Sequence, residues 1–464
     1  MEAKRAAGVP NFPVVGFPQI GPGFEALYSA CLRLYNDQPN PLQVVAVLKY
    51  WLGGPDPLDC ISMYENTGDE NEGIPPHWHY VSYGLSDLYG DGRVHEVSNG
   101  ATDGPSGFGF ELTFRLCKER GETAPPTWPA AVMQGLAKYV FQSGNVLCDG
   151  DHVSWHCPLD NSESRIEHML MTEDPQLETV TTPFGKVTYI QIVGVCAEEL
   201  KAAQQWNGRG FVQLMQRVKG AGGPWLVTDM RRGETVFELE PGIAEAVDRG
   251  IETEGSDLSG VSARLCWSED FPCGQEMGDV KRGMGDRIEI LAEDGTCGSP
   301  PHGPSKQMSD MFGGLNKSGS GRELREVSRK ASFDSDGSDP AETRELMQTR
   351  LLDAVHLQLN LEAGLLFPLV LRGRLKHGRH FTFKSSVDCA AVTFVVPSVI
   401  GAFASSEHPY AVQGSWLQVL LTEDFLAEMT ADMESLSCAE GLTLPKTYSW
   451  PDRKMSITLV PEEL

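Results

Sequence analysis

Between residues 108 and 116 an apolar side chain falls on every second position: Phe108, Phe110, Leu112, Phe114 and Leu116, with Glu111, Thr113 and Arg115 interleaved. A period of two matches the alternation of side chains across a pleated strand. The segment therefore reads as a β-strand with one face buried and the other toward water. This strand commits the chain to a sheet-containing fold, and weaker strand patterns surround it. Ile61 and Met63 alternate, and 77–85 is aromatic and β-branched. The apolar run 187–195 follows a Thr182-Pro-Phe-Gly185 turn and predicts a strand covered on both faces. Further strands are expected at 225–228, 235–239, 261–267, 355–359, 365–371, 380–384, 390–396, 416–421 and 455–460.

Helical patterns lie among these strands. Phe24, Leu27, Cys31 and Leu34 have helical spacing and run into the breaker Asn36-Asp-Gln-Pro-Asn-Pro41. Pro129 opens a helix that carries Val132, Met133, Leu136, Tyr139 and Val140, with Gly144 as its stop. Segments 198–206, 211–218 and 243–247 read as helices, and Thr422 caps another that carries Phe425, Met429 and Met433. The mixture predicts an α+β (mixed α/β) fold. A chain of 464 residues exceeds one compact core. Two domains are therefore expected, 21–255 and 256–464, each a mostly antiparallel or mixed sheet with packed helices, joined by a short linker. Residues 1–20 are expected to form a disordered arm. Residues 272–340 are rich in Gly, Ser and charged residues and poor in large apolar ones. Such a stretch cannot offset its ordering entropy, so a disordered insertion in the second domain is expected there.

The formal net charge of -26 disfavours direct contact with nucleic acid or an anionic membrane and favours a basic partner. No apolar run has the length of a signal sequence or membrane span. The eleven cysteines are scattered without a C-x-x-C pair, which fits reduced thiols in a cytosolic protein.

The most chemically loaded stretch, 139–168, gathers Asp149, Asp151, His152, His156, Asp160, Glu163 and His168 around Cys148 and Cys157. Two readings are open: a metal-dependent or Cys/His hydrolase, or a polar binding cleft. His77 and His79 share one strand face and could join a metal. Against this, His152-x-x-x-His156 lacks the glutamate of a zinc protease, and nucleophile elbow, P-loop and dinucleotide fingerprint are all missing. The expectation is therefore no catalytic residue, no metal and no cofactor. The run 372–384 places five Lys/Arg and two Phe in an acidic chain. It reads either as a contact for an acidic segment or as two solvated strand faces around Gly378. Arg329-Lys-Ala-Ser332 fits a basophilic kinase, with Ser328 just upstream, so Ser328 and Ser332 are phosphorylation candidates.

Long segments resemble the Suppressor of fused family: YWLGGPDPLD (50–59), IPPHWHYVSYGLSDLYGD (74–91), GFGFELTFRL (107–116), GDHVSWHCPLDNSESRI (150–166), GGPWLVTDMRRGETVFE (222–238), LRGRLKHGRHFTFK (371–384) and HPYAVQGSWLQVLLTE (408–423). The resemblance implies a non-enzymatic negative regulator of Hedgehog signalling. Such a protein binds Gli/Cubitus interruptus zinc-finger transcription factors, holds them in the cytoplasm and restrains them in the nucleus. It further implies that a Ser-Tyr-Gly-His segment of the factor lies between two domains as an added strand. By the same resemblance Tyr139 and Asp151 hold the histidine of that segment, and Val261, Ala263 and Leu366 supply apolar contacts. A regulatory role for the insertion, a Fused-type kinase and kinesin-like partners, and a monomeric state complete what the family implies.

Overall fold

The alternating segment becomes β4 (Pro105–Cys117), a strand at the centre of a mixed sheet. The computed structural model describes residues 21–96, 103–269, 348–437 and 442–461. The arm 1–20, the insertion 272–340 and both candidate serines, Ser328 and Ser332, lie outside the described residues.

The chain separates into two interleaved units. The first comprises Met1–Asp149, Cys157–Val195 and Met215–Gly233; the second comprises Gly150–His156, Cys196–Leu214 and Glu234–Leu464. In the first unit β1 (Leu42–Val45), β2 (Cys60–Asn66), β3 (His77–Tyr83) and β4 follow one another by antiparallel pairing. The short strand β5 (His152–Ser154) belongs to the second unit. Strands β6 (His168–Glu173), β7 (Val180–Thr182) and β8 (Gly185–Val195) complete the first unit's sheet. There β8 runs parallel to β4 and antiparallel to β6 and β7. Helix α1 (Pro22–Leu34) covers one face of this sheet with Leu27 and Cys31, which join Tyr35, Tyr64, Tyr83 and Tyr189 in one apolar cluster. On the other face, at the start of helix α2 (Trp128–Ser143), Trp128 meets Phe114 edge-on at 5.5 Å. Pro129 stands in the first turn of α2, and Gly144 ends it at φ 70, the left-handed geometry a glycine stop supplies.

Sandwiching the sheet between helices corrects one expectation. The second face of β4 is not wet: Glu111, Thr113 and Arg115 are all completely buried. A polar face can be buried when its groups satisfy one another, and here they do. Glu111 accepts from the hydroxyls of Ser82 and Ser86, each at 2.6 Å, and from the backbone of Gly84 and Ser86.

The second unit holds α3 (Ala197–Gln205), α4 (Gly208–Met215), α5 (Val236–Leu239), α6 (Gly242–Glu254) and two sheets. Strands β9 (Gly260–Ala263), β11 (Thr349–Leu352), β13 (Phe381–Ser385), β14 (Ala391–Val395), β15 (Tyr410–Gln413) and β16 (Trp416–Leu420) form the six-stranded sheet, in the order β11-β15-β16-β14-β13-β9. Strands β10 (Leu265–Ser268), β12 (Val355–Asn360), β17 (Lys446–Trp450) and β18 (Met455–Val460) form the other, ordered β10-β12-β18-β17. Helix α7 (Glu423–Asp432) contributes Phe425 and Met429 to the core.

Three other strand expectations fail here. The 261–267 strand breaks at Arg264 into β9 and β10, which enter different sheets. Segment 235–239 is the helical turn α5, because Thr235 and Glu238 form a reciprocal capping box that satisfies the free amides of a helix start. Segment 365–371 is helical and leads into a π-turn, Val370–Arg374; an apolar run this short does not distinguish buried helix from buried strand. In the first unit, 225–228 is likewise not a strand: Gly223–Trp225 is a single tight turn.

Candidate functional site

The acidic and imidazole-rich stretch divides between the two units, and among the described residues it supplies no group of three metal-ligand side chains. Tyr139 sits half-buried on α2 of the first unit, where its hydroxyl accepts from Asn145. Cys148 is exposed and Cys157 half-buried in the same unit, and His168 is buried on β6. Asp151 and His152, each 5% exposed, begin a short segment of the second unit. Their loop lies against the start of α4: a Cβ on Gly208 would stand 1.9 Å from the carbonyl oxygen of Gly150, so only glycine fits. Burial pushes the His152 imidazole down to about 4, and its Nε2 has no hydrogen-bond partner.

The two strand histidines are committed elsewhere. His77 Nδ1 lies 2.8 Å from the Pro75 carbonyl, and its Nε2 lies 2.9 Å from Arg115 Nη1. His79 Nδ1 lies 2.8 Å from the Tyr35 hydroxyl, and its Nε2 lies 3.1 Å from Asp174. All four ring nitrogens therefore have partners, and a metal could reach them only by breaking buried bonds. At the centre Arg115 donates from Nη2 to both Asp174 oxygens at 2.9 and 3.0 Å, with both side chains fully buried. Its Nε donates to Gln191 at 3.0 Å, and Thr113 donates to Asp174 at 2.9 Å. Burial, reinforced by the Arg115 charge, pushes His77 down to about 3 and His79 down to about 4. Burial alone would raise the Asp174 carboxyl; Arg115 and His79 overturn that and hold it well below the usual carboxylate range. The result is a buried polar network in which Arg115, Asp174, His77 and His79 satisfy one another. Among the described residues no three His, Cys, Asp or Glu side chains converge as metal ligands.

Of the basic run 372–384, one arginine turns inward while Lys376 and Lys384 stay exposed. Arg374, only 7% exposed, donates to the Ser256 carbonyl at 2.7 Å and the His380 carbonyl at 3.0 Å. Arg379 reaches the same Ser256 oxygen at 2.9 Å, and His377 lies 3.1 Å from the Glu252 carbonyl. These groups cap the carbonyl end of α6, where positive charge is favoured. The strand-face reading holds only after Gly378, where β13 leaves Lys384 exposed; before Gly378 the run is helical.

The remaining expected residues gather in the second unit. Val261, half-buried, and Ala263, 4% exposed, lie two apart on β9 and share a sheet face. Both border the core cluster that Leu366, half-buried, also packs against. Strand β9 is the edge of its sheet: among the described residues β13 is its one strand neighbour, paired in parallel. Thr382 N–H donates to the Ser259 carbonyl and Ser386 N–H to that of Ala263. Backbone direction alternates along a strand, so the peptide groups of Gly260 and Ser262 point the other way, toward the open edge. No side-chain signal marks Gly260 and Ser262, because what they offer is backbone.

Residues 54–233 match the family model described as Suppressor of fused protein. Residues 245–459 match the one described as Suppressor of Fused Gli/Ci N terminal binding domain. The chain is 55% identical over 460 residues to the Suppressor of fused homolog of Homo sapiens, covering 95% of this chain and 92% of that protein. It is 56% identical over 449 residues to the homolog of Mus musculus, with the same coverage. It also resembles the crystal structure of Drosophila Suppressor of Fused, with a TM-score of 0.69, 35% identity, and coverage of 96% of this chain and 98% of that one.

Proposed function

The chain belongs to the Suppressor of fused family, and on that premise we propose that it captures a Gli/Cubitus interruptus factor by strand addition. An extended Ser-Tyr-Gly-His segment of the factor pairs with the open edge of β9. The single observation that supports this is that edge: peptide groups at Gly260 and Ser262 that face away from β13, its one strand neighbour among the described residues, with Val261 and Ala263 on one face. Backbone bonds supply affinity, and the side chains flanking the edge read the sequence. Val261, Ala263 and Leu366 form the apolar contacts, while Tyr139 and Asp151 hold the peptide histidine. Capture keeps the factor in the cytoplasm and restrains it in the nucleus, which makes the protein a negative regulator of Hedgehog signalling.

The test is fluorescence anisotropy with a labelled Ser-Tyr-Gly-His peptide. Asp151→Ala removes one charge-assisted bond, worth about 1.5–3 kcal/mol, and is expected to weaken binding about tenfold to a hundredfold. Unchanged affinity would remove Asp151 from the site. Pairing with Asp151 would also raise the pKa of the bound histidine. Binding is then tightest below its free value of about 6.5 and weakens as pH rises through the bound value.

A further inference from the structure

The opposite edge of the first unit's sheet carries a surface that the proposed capture does not use. Strand β1 is an end strand, with β2 its one strand neighbour among the described residues. Edge strands of folded proteins are normally blunted by charge, proline or a cover. This one, with the segment that follows it, exposes Leu42 (57%), Val45 (50%), Val47 (105%), Leu48 (46%), Trp51 (38%) and Leu52 (57%). Six of the thirteen exposed large hydrophobics among the described residues thus fall within eleven positions. Scattered exposed apolar residues need no explanation; six of them concentrated on one edge strand and the turn that follows it mark an interaction site.

The row is held in place. Ala46 N–H donates to the Asp59 carbonyl at 3.1 Å, and Gly54 N–H to that of Lys49 at 3.1 Å. Lys49 Nζ turns away from the row to the carbonyl and carboxylate of Asp59, at 3.2 and 3.3 Å. The Tyr50 ring lies 5.0 Å from Phe141, and Arg93 stacks over Trp51 at 4.7 Å. The backbone is therefore ordered while the apolar side chains point outward, so little ordering cost attends binding.

We propose that this edge docks an extended, apolar, net-basic segment of a partner protein, added as a strand to β1. Unpaired strand backbone selects an extended chain, and the exposed side chains select apolar residues. Charge selects the sign. At -26 the protein repels a second copy of itself and attracts a basic segment. The neighbouring cations do not oppose it: Lys138 pairs with Asp56 at 3.0 Å, Lys49 with Asp59, and Arg93 with Asp91.

The test selects a displayed library of random short segments on the full-length protein and remakes the enriched ones as synthetic peptides. Each is titrated against wild type and against a Val47→Asp, Leu52→Asp double variant. The expected peptides alternate apolar residues, carry Lys or Arg, protect the amides of 42–45 from hydrogen exchange and bind the variant at least about tenfold more weakly. The variant is expected to keep its thermal midpoint and its affinity for the Ser-Tyr-Gly-His peptide, which separates this edge from the β9 edge. The proposal is overturned if no segment enriches, if enriched peptides bind the variant as tightly as wild type, or if they protect amides elsewhere. A wild-type dimer that the variant dissolves would assign the surface to a second copy and equally overturn it.

Discussion

Strand β4 of the first unit and strand β9 of the second dispose of their polar groups in opposite ways. β4 buries Glu111, Thr113 and Arg115 completely, and each finds partners within the unit. β9 leaves the peptide groups of Gly260 and Ser262 at a sheet edge. Along β4 the chemically conspicuous side chains build structure, whereas the inconspicuous Gly-Val-Ser-Ala segment of β9 places backbone groups at a sheet edge. A satisfied buried group has nothing left to bind with, whereas an edge amide loses nothing by exchanging water for a partner.

Removing one partner at the centre of the first unit is expected to have the largest effect. Arg115→Met leaves the Asp174 carboxylate buried and unpaired and should cost about 3–5 kcal/mol, read as a lower denaturant midpoint. A cost below about 1 kcal/mol would show that the network is not closed.

Acidification tests the same centre without mutation. His77 and His79 titrate near 3 and 4 in the folded protein, against 6.5 for an ordinary histidine. Between those values the unfolded chain binds more protons, so stability is full above about 6.5 and falls as pH drops toward 4. For His79 alone the loss is on the order of 3 kcal/mol at pH 4. Glu111, whose carboxyl burial pushes up, works in the opposite sense. The clean measurement is the slope of stability against pH for wild type and His79→Gln: the variant should be flatter by about one proton. Equal slopes would break the assignment.

The second unit's buried arginine provides a contrast, because its partners are backbone carbonyls. Arg374→Met should cost about 2 kcal/mol and loosen the end of α6, seen as faster amide exchange there. Arg379 retains a bond to the Ser256 carbonyl, which keeps this below the Arg115 effect.

Ser262→Pro is the smallest and most selective change. It deletes an edge N–H that β13 does not use, so the thermal midpoint should hold while peptide affinity falls about tenfold. Loss of the fold, or unchanged binding, would end the comparison between the closed strand and the open one.

Local order was legible wherever one periodicity ran long enough. The row from Phe108 to Leu116 gave β4, and Pro129 with Gly144 bracketed α2 to within a residue at each end. The resemblance carried Val261, Ala263 and Leu366, which the second unit brings to one apolar cluster. Two of the misses share a cause. Segments 235–239 and 365–371 are too short for their apolar spacing to separate strand from helix, so capping and core packing decided them.

The sequence by itself determined that β4 is a strand, that helices and strands mix, and which residues alternate on each face. It did not determine that both faces of β4 are covered, because burial of Arg115 depends on Asp174 and Gln191, far along the chain and brought near only by β6 and β8. Nor could it mark β9 as an edge. Every strand carries the same backbone donors and acceptors, and which of them remain unpaired is settled only by the order in which strands assemble.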